Sequence, residues 1–436
     1  MEIPKRIAST VINALSSGVV PRIGLSYITV GREGETDALL HDASIVADGG
    51  AAFRFICGKY GAGKSFLLQA VRNKMISENF VVADVDLSPE RRIFGTKGQG
   101  LATYKELIGN LSTKTRPDGG ALSLVLDRWI SSVQTETAAK GETAPETPAF
   151  SKAVKKHIYE VINSLTELVH GFDFAKLLTL YYTAFENDDT ELKGKVLKWF
   201  RGVYESKSEA RAELGVKIII SDDDWYDYIK LFASFFRKAG YSGFFVLIDE
   251  LVNIYKIPNS ITRQYNYEKI LTMFNDTLQG RAKYLGIIMC GTPQCIEDTR
   301  RGVYSYEALR SRLTAGKFGG DDASMLLSPV IKLKPLTKEE LAVLCIKLAQ
   351  IHSMLFSYKS EISREDCVHF ISAEFSRVGA YTNITPREVI RDFIELMNRL
   401  MSSPGETVTS VISSSGFAFS SAPSGEGGDE FAEFTV

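Results

Sequence analysis

The sequence predicts an α/β fold: a parallel sheet core interrupted by a long helical insertion and followed by an all-helical C-terminal region. A short apolar strand at 53–56 enters a glycine-rich turn, after which apolar residues recur at helical spacing. Apolar runs of strand length also occur at 80–87, 243–251 and 284–293, and each carries a polar residue near its end. Mostly helical periodicity fills residues 101–240, which separate the second strand from the third. These observations together favour a sheet with a large helical insertion.

Composition sets the broad class of the protein. The 436 residues are 44% hydrophobic and 24% charged, which is typical of a globular chain with two or three domains. The net charge of −2 excludes a global basic field, so a nucleic-acid surface would have to be a local patch. Five cysteines without a C-x-x-C pair favour reduced thiols over a disulfide frame or a zinc site. The N-terminus lacks an apolar signal core and no apolar run approaches a membrane span, so we expect a cytoplasmic protein.

The turn after the first strand contains the phosphate-loop pattern G-x-x-x-x-G-K-[ST]. Its glycines let backbone N–H groups close round phosphate oxygens, and the start of the next helix adds a favourable dipole. We expect Lys64 to reach the β- and γ-phosphates and the Ser65 hydroxyl to bind Mg²⁺. A chance glycine-rich turn would lack the flanking strand and helix. The candidate nucleotide-binding residues of this loop are Gly58, Tyr60, Gly61, Ala62, Gly63, Lys64, Ser65 and Phe66.

A second strong signal is the apolar strand that ends in Asp249 and Glu250. In phosphoryl transfer, an acid at such a strand end holds Mg²⁺, and this role falls to Asp249. Glu250 is then placed to polarise the attacking water. Alternatively, the strand simply ends in acidic surface residues. The phosphate loop upstream favours the functional interpretation, because two independent patterns indicate the same chemistry.

Further polar residues follow the later strand. Thr292, at the end of 284–293, could sense the γ-phosphate or simply belong to a strand-end turn. Arg310 and Arg312 lie near a helix end, where a guanidinium supplied to a neighbouring subunit would stabilise the transferring phosphate. They could equally be surface arginines in salt bridges. Arg387 lies in the first turn of a helix that starts at Pro386, from which it could reach back over the nucleotide.

Two basic segments leave alternatives open. Gly31 and Arg32 enter a helix just before the phosphate-loop strand, where several ATPases place the adenine. A helix that only packs against the core is the other interpretation. Arg91, Arg92 and Lys97 follow the second strand. They could contact phosphates of a nucleic acid or a neighbouring subunit, or form an ordinary solvated loop.

Changes in periodicity and composition predict the domain organisation. Ser221–Asp224 should cap a helix that begins at Trp225, and Thr337 with Glu340 forms a predicted capping box. We expect the N-terminal part of the ATPase core at 1–133, a linker and helical insertion at 134–240, the rest of the core at 241–334, a helical lid at 335–401 and a disordered acidic tail at 402–436.

The order of these motifs resembles the AAA+ P-loop ATPases, nearest their origin-recognition-like branch. Shorter phrases resemble the ATP-binding protein of BREX phage-defence systems, in particular the smaller D-type component that accompanies a large helicase in some system types. The phrases that carry this closer resemblance are 20–25, 30–33, 49–55 and 86–92. The helical insertion has no counterpart in the basic AAA+ core, so the assignments downstream of it rest on spacing.

The resemblance implies an ATPase that hydrolyses the phosphoanhydride of ATP with Mg²⁺. It further implies a homo-oligomer that acts with other BREX components on or near DNA. A non-hydrolysing ATP-dependent switch or scaffold that organises defence partners is the alternative. The intact pair Asp249 and Glu250 argues against the alternative, because a scaffold does not require the second acid.

Overall fold

The computed structural model describes residues 3–140, 147–314, 328–376, 384–403, 405–414, 417 and 419. Its strands are β1 (Ala51–Cys57), β2 (Val81–Asp86), β3 (Phe244–Asp249), β4 (Leu285–Gly291) and β5 (Val330–Lys332). The helices up to the end of the insertion are α1 (Lys5–Ser16), α2 (Leu25–Ile28), α3 (Glu33–Ala47), α4 (Lys64–Ser77), α5 (Gln99–Gly109), α6 (Leu122–Ala139), α7 (Pro148–Asn163), α8 (Gly171–Glu186), α9 (Thr190–Phe200), α10 (Lys207–Leu214) and α11 (Trp225–Lys238). The later helices are α12 (Val252–Tyr255), α13 (Ser260–Leu278), α14 (Pro293–Glu297), α15 (Glu307–Leu313), α16 (Lys338–Phe356), α17 (Arg364–Ser376), α18 (Pro386–Ser402) and α19 (Val408–Ile412), with a 3-10 turn at Val303–Ser305.

The chain forms two compact units, and each has its own hydrophobic core. The sheet unit comprises Asp37–Cys57 and Val71–Ile331. The helical unit comprises Met1–Thr36, Gly58–Ala70 and Lys332–Val436. None of the helices in the described ranges combines the length and apolar composition that a membrane span requires.

The sheet has the strand order β2-β3-β4-β1-β5, and the pairs β2–β3, β3–β4 and β4–β1 are parallel. Its inner strands are almost continuously buried, because helices of the sheet unit cover them, as expected for a parallel sheet. The register aligns Cys57 with Gly291 and Asp86 with Asp249. The carboxyl ends of four strands therefore meet at one edge, and the predicted α/β fold is confirmed.

The helical insertion α5–α11 shares one continuous core with the sheet. Phe236 on α11 packs edge-to-face on Phe244 of β3, with 5.2 Å between the ring centroids. The Asp222 carboxylate accepts hydrogen bonds from the N–H groups of Gly98 and Leu101, both at 2.7 Å, so it caps α5. Helix α11 begins at Trp225 as predicted, but no side chain caps it. Asp222, which the sequence predicted to cap α11, therefore caps α5 instead, because the fold brings it close to the start of that helix.

The helical unit packs α1 with α16, α17, α18 and α19 around a second core. Its α16 begins with the predicted capping box: the Thr337 hydroxyl accepts from the Glu340 N–H at 3.1 Å, and the Glu340 carboxylate accepts from the Thr337 N–H at 2.7 Å. These two bonds satisfy N–H groups that no helical carbonyl can reach.

The stretch predicted to be disordered from residue 402 contains the short helix α19. Val408 and Val411 are buried in the core of the helical unit, and Thr407 forms a capping box with Ser410. Two apolar residues three positions apart lie on one side of this short helix and pack on the core of the helical unit. Most of the remaining predicted tail lies outside the described residues.

Candidate nucleotide site

The phosphate loop starts at Gly58, directly after β1, and α4 begins at Lys64. The strand, turn and helix that the motif requires are therefore present. Gly61 and Gly63 have φ angles of +74° and +97°. Residues with a Cβ atom adopt such angles only with backbone strain, so the turn favours glycine at both positions. The Lys64 ammonium donates to the carbonyl oxygens of Gly58 at 2.9 Å and Lys59 at 3.0 Å, so it lies across the turn.

The middle of the loop contacts the start of α18. A Cβ atom on Gly61 would lie 2.6 Å from Thr385 Oγ1, so this glycine leaves room for the Thr385 side chain. The Arg387 guanidinium lies over the Tyr60 ring, 4.7 Å from its centroid. Glu388 holds the helix start, because its carboxylate accepts from the Thr385 N–H at 2.8 Å and hydroxyl at 2.9 Å. Within the helical unit, Arg387 thus lies next to the loop.

Arg32 joins three segments of the helical unit. Its side chain is buried, with 4% of the residue exposed. Nη1 donates to Glu35 Oε1 at 3.0 Å and to the Lys334 carbonyl at 2.8 Å. Nη2 donates to the Ala62 carbonyl of the phosphate loop at 3.0 Å. The turn at Gly31 and Arg32 was expected either to contact the adenine or only to pack against the core. The contacts of the Arg32 side chain fit packing.

The acid pair lies at the carboxyl edge of the sheet. Asp249 is the last residue of β3 and is 7% exposed. Glu250 follows it with a φ of +60°, and its N–H donates to Asp249 Oδ1 at 2.7 Å. A left-handed conformation at a residue other than glycine costs free energy, and such residues concentrate at functional sites. Five other described residues besides glycine also have a positive φ, so this conformation by itself assigns no function to Glu250.

Thr292 directly follows β4, but its hydroxyl has a local role. It accepts from the Cys295 N–H at 3.3 Å and lies 3.0 Å from Cys295 Sγ, so it caps α14. This geometry favours the strand-end turn among the interpretations of Thr292.

Both candidate finger arginines are exposed on α15 of the sheet unit. Arg310 forms a loose ion pair with Glu307 at 3.8 Å, and Arg312 donates to the Ala308 carbonyl at 2.8 Å. Such surface contacts contribute little to stability, so they do not fix either side chain in place.

The structure groups the predicted residues by unit. The helical unit holds Gly31, Arg32, Gly58, Tyr60, Gly61, Ala62, Gly63, Lys64, Ser65, Phe66 and Arg387, and the sheet unit holds Asp249, Glu250, Thr292, Arg310 and Arg312. Neither Thr385 nor Glu35 is among the residues that the sequence predicted for the site. Thr385 contacts Gly61, which lies far away in the chain, so no local pattern reveals that contact, whereas Glu35 pairs with Arg32 only three residues earlier.

Comparison with known proteins gives one family. No curated protein matches the chain. The model of a family described as BREX system ATP-binding protein BrxC/D matches residues 3–415. Because this match spans nearly the whole chain, the protein belongs to the family of BREX system ATP-binding proteins BrxC/D.

Proposed function

We propose that the protein is an Mg²⁺-dependent ATPase of a BREX phage-defence system. The observation that carries the proposal is the order of strand ends. The phosphate loop leaves β1 at Cys57, whose register partner Gly291 ends β4, and the next strand beyond β4 ends in Asp249. A phosphate-binding loop and an acidic strand end that follow the same edge of a parallel sheet are typical of ATP hydrolysis.

Each residue then has a chemical role. The loop N–H groups and Lys64 bind the triphosphate, and the helix start adds a favourable dipole. Ser65, in the first turn of α4, and Asp249 offer the hydroxyl and carboxylate oxygens that Mg²⁺ prefers. Mg²⁺ held by such groups would neutralise charge on the phosphates. Glu250 accepts a hydrogen bond from the attacking water and orients it toward the γ-phosphate.

The direct test is phosphate release by the purified full chain. ATP with Mg²⁺ should give steady turnover, and removal of Mg²⁺ with EDTA should abolish it. Tight ATP binding without turnover, alone or with DNA and partner proteins, would instead support the switch or scaffold function.

Assembly is the second part of the proposal. The exposure of Arg310 and Arg312 supports a finger supplied to a neighbouring copy of the chain. Turnover per subunit should therefore rise with protein concentration or with added DNA. A flat dependence across the oligomerisation range, with DNA present, would contradict a finger in trans.

The segment after β2 supports a contact with DNA or with another BREX component. It carries Arg91, Arg92 and Lys97, and the Phe94 ring packs on Tyr265 with 5.5 Å between centroids. Arginine and lysine side chains suit the phosphates of a nucleic acid. DNA affinity that falls steeply with salt would support this contact, because phosphate binding releases counterions.

A further inference from the structure

Arg32 forms an ion pair with Glu35 inside the helical unit, almost out of contact with solvent. Both partners are buried, with 4% of Arg32 and 5% of Glu35 exposed. Glu35 lies in the first turn of α3, where the helix dipole also favours its charge. Burying two charges is worthwhile only with good geometry and further hydrogen bonds, and the carbonyls of Ala62 and Lys334 provide those.

The bond to Ala62 determines how one peptide of the phosphate loop is turned. In a planar trans peptide the carbonyl and the following N–H point in opposite directions, and the described chain contains no cis peptide bond. Because the Ala62 carbonyl points at Arg32, the Gly63 N–H points away from it. Backbone N–H groups of this loop are the ones that cradle phosphates in the motif.

The other contacts hold Arg32 in place. The Lys334 carbonyl lies in the segment that leads into α16. Gly31 packs so closely on α16 that an added Cβ would lie 2.5 Å from the Glu340 carboxylate. The arginine is therefore anchored on the chain around α3 and α16, independently of the loop it supports.

We infer that Arg32 is a positioning residue: it acts through the Ala62–Gly63 peptide on the phosphate groups of the nucleotide and makes no contact with the base. The inference rests on the proposed nucleotide binding, which ATP binding by the unaltered chain tests separately. It assigns Arg32 a role different from the adenine contact that its sequence context suggested.

The experiment compares Arg32→Lys with the unaltered full chain, using ATP and inosine triphosphate. Lysine retains the charge but lacks the planar fork that reaches several acceptors at once. A hydrogen bond from a charged donor is worth about 1.5–3 kcal/mol, and if the free energy of positioning the loop is lost on that scale, affinity falls by about tenfold or more. We expect both nucleotides to bind about tenfold more weakly, with an unchanged ratio between them.

The matched control is Arg54→Lys. Arg54 is also buried, at 7% exposed; it pairs with Asp42 at 2.6 and 2.7 Å and donates to the Ser328 carbonyl. This variant should lose stability as Arg32→Lys does, yet bind both nucleotides like the unaltered chain. A selectivity for ATP over inosine triphosphate that disappears in Arg32→Lys would show a base contact and overturn the inference, as would affinities unchanged within twofold.

If Arg32→Lys does not fold, Glu35→Gln replaces it. The amide oxygen can still accept from Arg32, but the negative charge is removed, so the arginine is held less firmly. A smaller loss of affinity, again equal for both nucleotides, supports the inference. Unchanged affinity in Glu35→Gln, or a change in the ratio between the nucleotides, contradicts it.

Discussion

The phosphate loop and the acidic strand end carry complementary chemistry but are held in different ways. Asp249 and Glu250 are placed by strand register: β3 pairs with β2 and β4 along its length, and the acids follow where it ends. The loop is held by side chains of two other segments: Arg32 before α3, and Thr385 with Arg387 at the start of α18. One region depends on regular backbone pairing and the other on individual contacts.

This difference indicates where each region is sensitive to mutation. At the sheet edge, the backbone is secured by the buried strands, so a change in side-chain chemistry should alter turnover and leave binding intact. In the loop, the supporting contacts are few, so a change in shape should alter nucleotide binding and stability together.

The largest expected effect is at the sheet edge. Glu250→Gln should bind ATP normally but lose turnover by about 100-fold or more, because the amide cannot take a proton from water. Glutamine has the same shape, so stability should hardly change. ATP affinity and phosphate release measure the two quantities. Glu268→Gln, at an exposed glutamate on α13, is the control and should retain turnover. Near-normal turnover in Glu250→Gln would remove Glu250 from the mechanism.

The next effect is in the loop. Gly61→Ala places a methyl group 2.6 Å from Thr385 Oγ1 and adds backbone strain at a φ of +74°. Gly280→Ala is the matched control, since Gly280 has a φ of +69° with no atom within 4 Å of the added methyl. Both should lose about 1–2 kcal/mol of unfolding free energy to backbone strain. Gly61→Ala should lose about 1–3 kcal/mol more from overpacking, with weaker ATP binding. Urea unfolding measures both losses. Equal losses of unfolding free energy in the two variants would show that the Thr385 side chain moves aside without cost.

A smaller effect is expected at the ring under Arg387. Tyr60 is 69% exposed, so its stacking on the guanidinium is worth about 0.5–1 kcal/mol. Tyr60→Leu should weaken ATP binding by about two- to fivefold if this stack positions Arg387 for the nucleotide. Tyr60→Phe keeps the ring and should bind ATP normally. An equal loss in both variants would indicate the hydroxyl rather than the ring.

The smallest expected effect is a loss of stability at low pH that is confined to the helical unit. Burial lowers the pKa of His352, in the core of the helical unit, where the ring nitrogens lie 2.9 Å from Tyr358 Oη and 3.0 Å from Asn398 Oδ1. In the unfolded chain, His352 takes up a proton near the ordinary histidine pKa of about 6.5. In the folded unit, its lowered pKa opposes protonation at that pH. The unfolding free energy of the helical unit is therefore highest above about pH 6.5, and it falls as the pH drops below this value.

Hydrogen exchange read separately for each unit measures this loss, which should appear in α16 and α18. His352→Gln should flatten the pH dependence below about pH 6.5. An unchanged slope in that variant would assign the acid sensitivity to other groups.

Much of the sheet and the chemical motifs could be predicted from the sequence. The apolar runs that became β1 to β4 are long enough and bounded clearly enough to be recognised, and their polar ends predicted the positions of Asp249 and Thr292. The capping box at Thr337 was predictable because its partners are three residues apart. By contrast, Asp222 caps a helix 121 residues earlier in the chain, at Leu101, and no local spacing reveals that.

The sequence by itself determined the phosphate loop, the acid pair, the strands and the family, because each depends on residues close together in the chain. Only the tertiary structure decided what holds the loop: Arg32 on the Ala62 carbonyl, Thr385 against Gly61 and Arg387 over Tyr60. It also decided that Thr292 caps α14 and that Val408 and Val411 are buried. The physical reason is the same throughout: packing brings together groups that are distant in the chain, and each buried polar group bonds the partner that the fold places beside it.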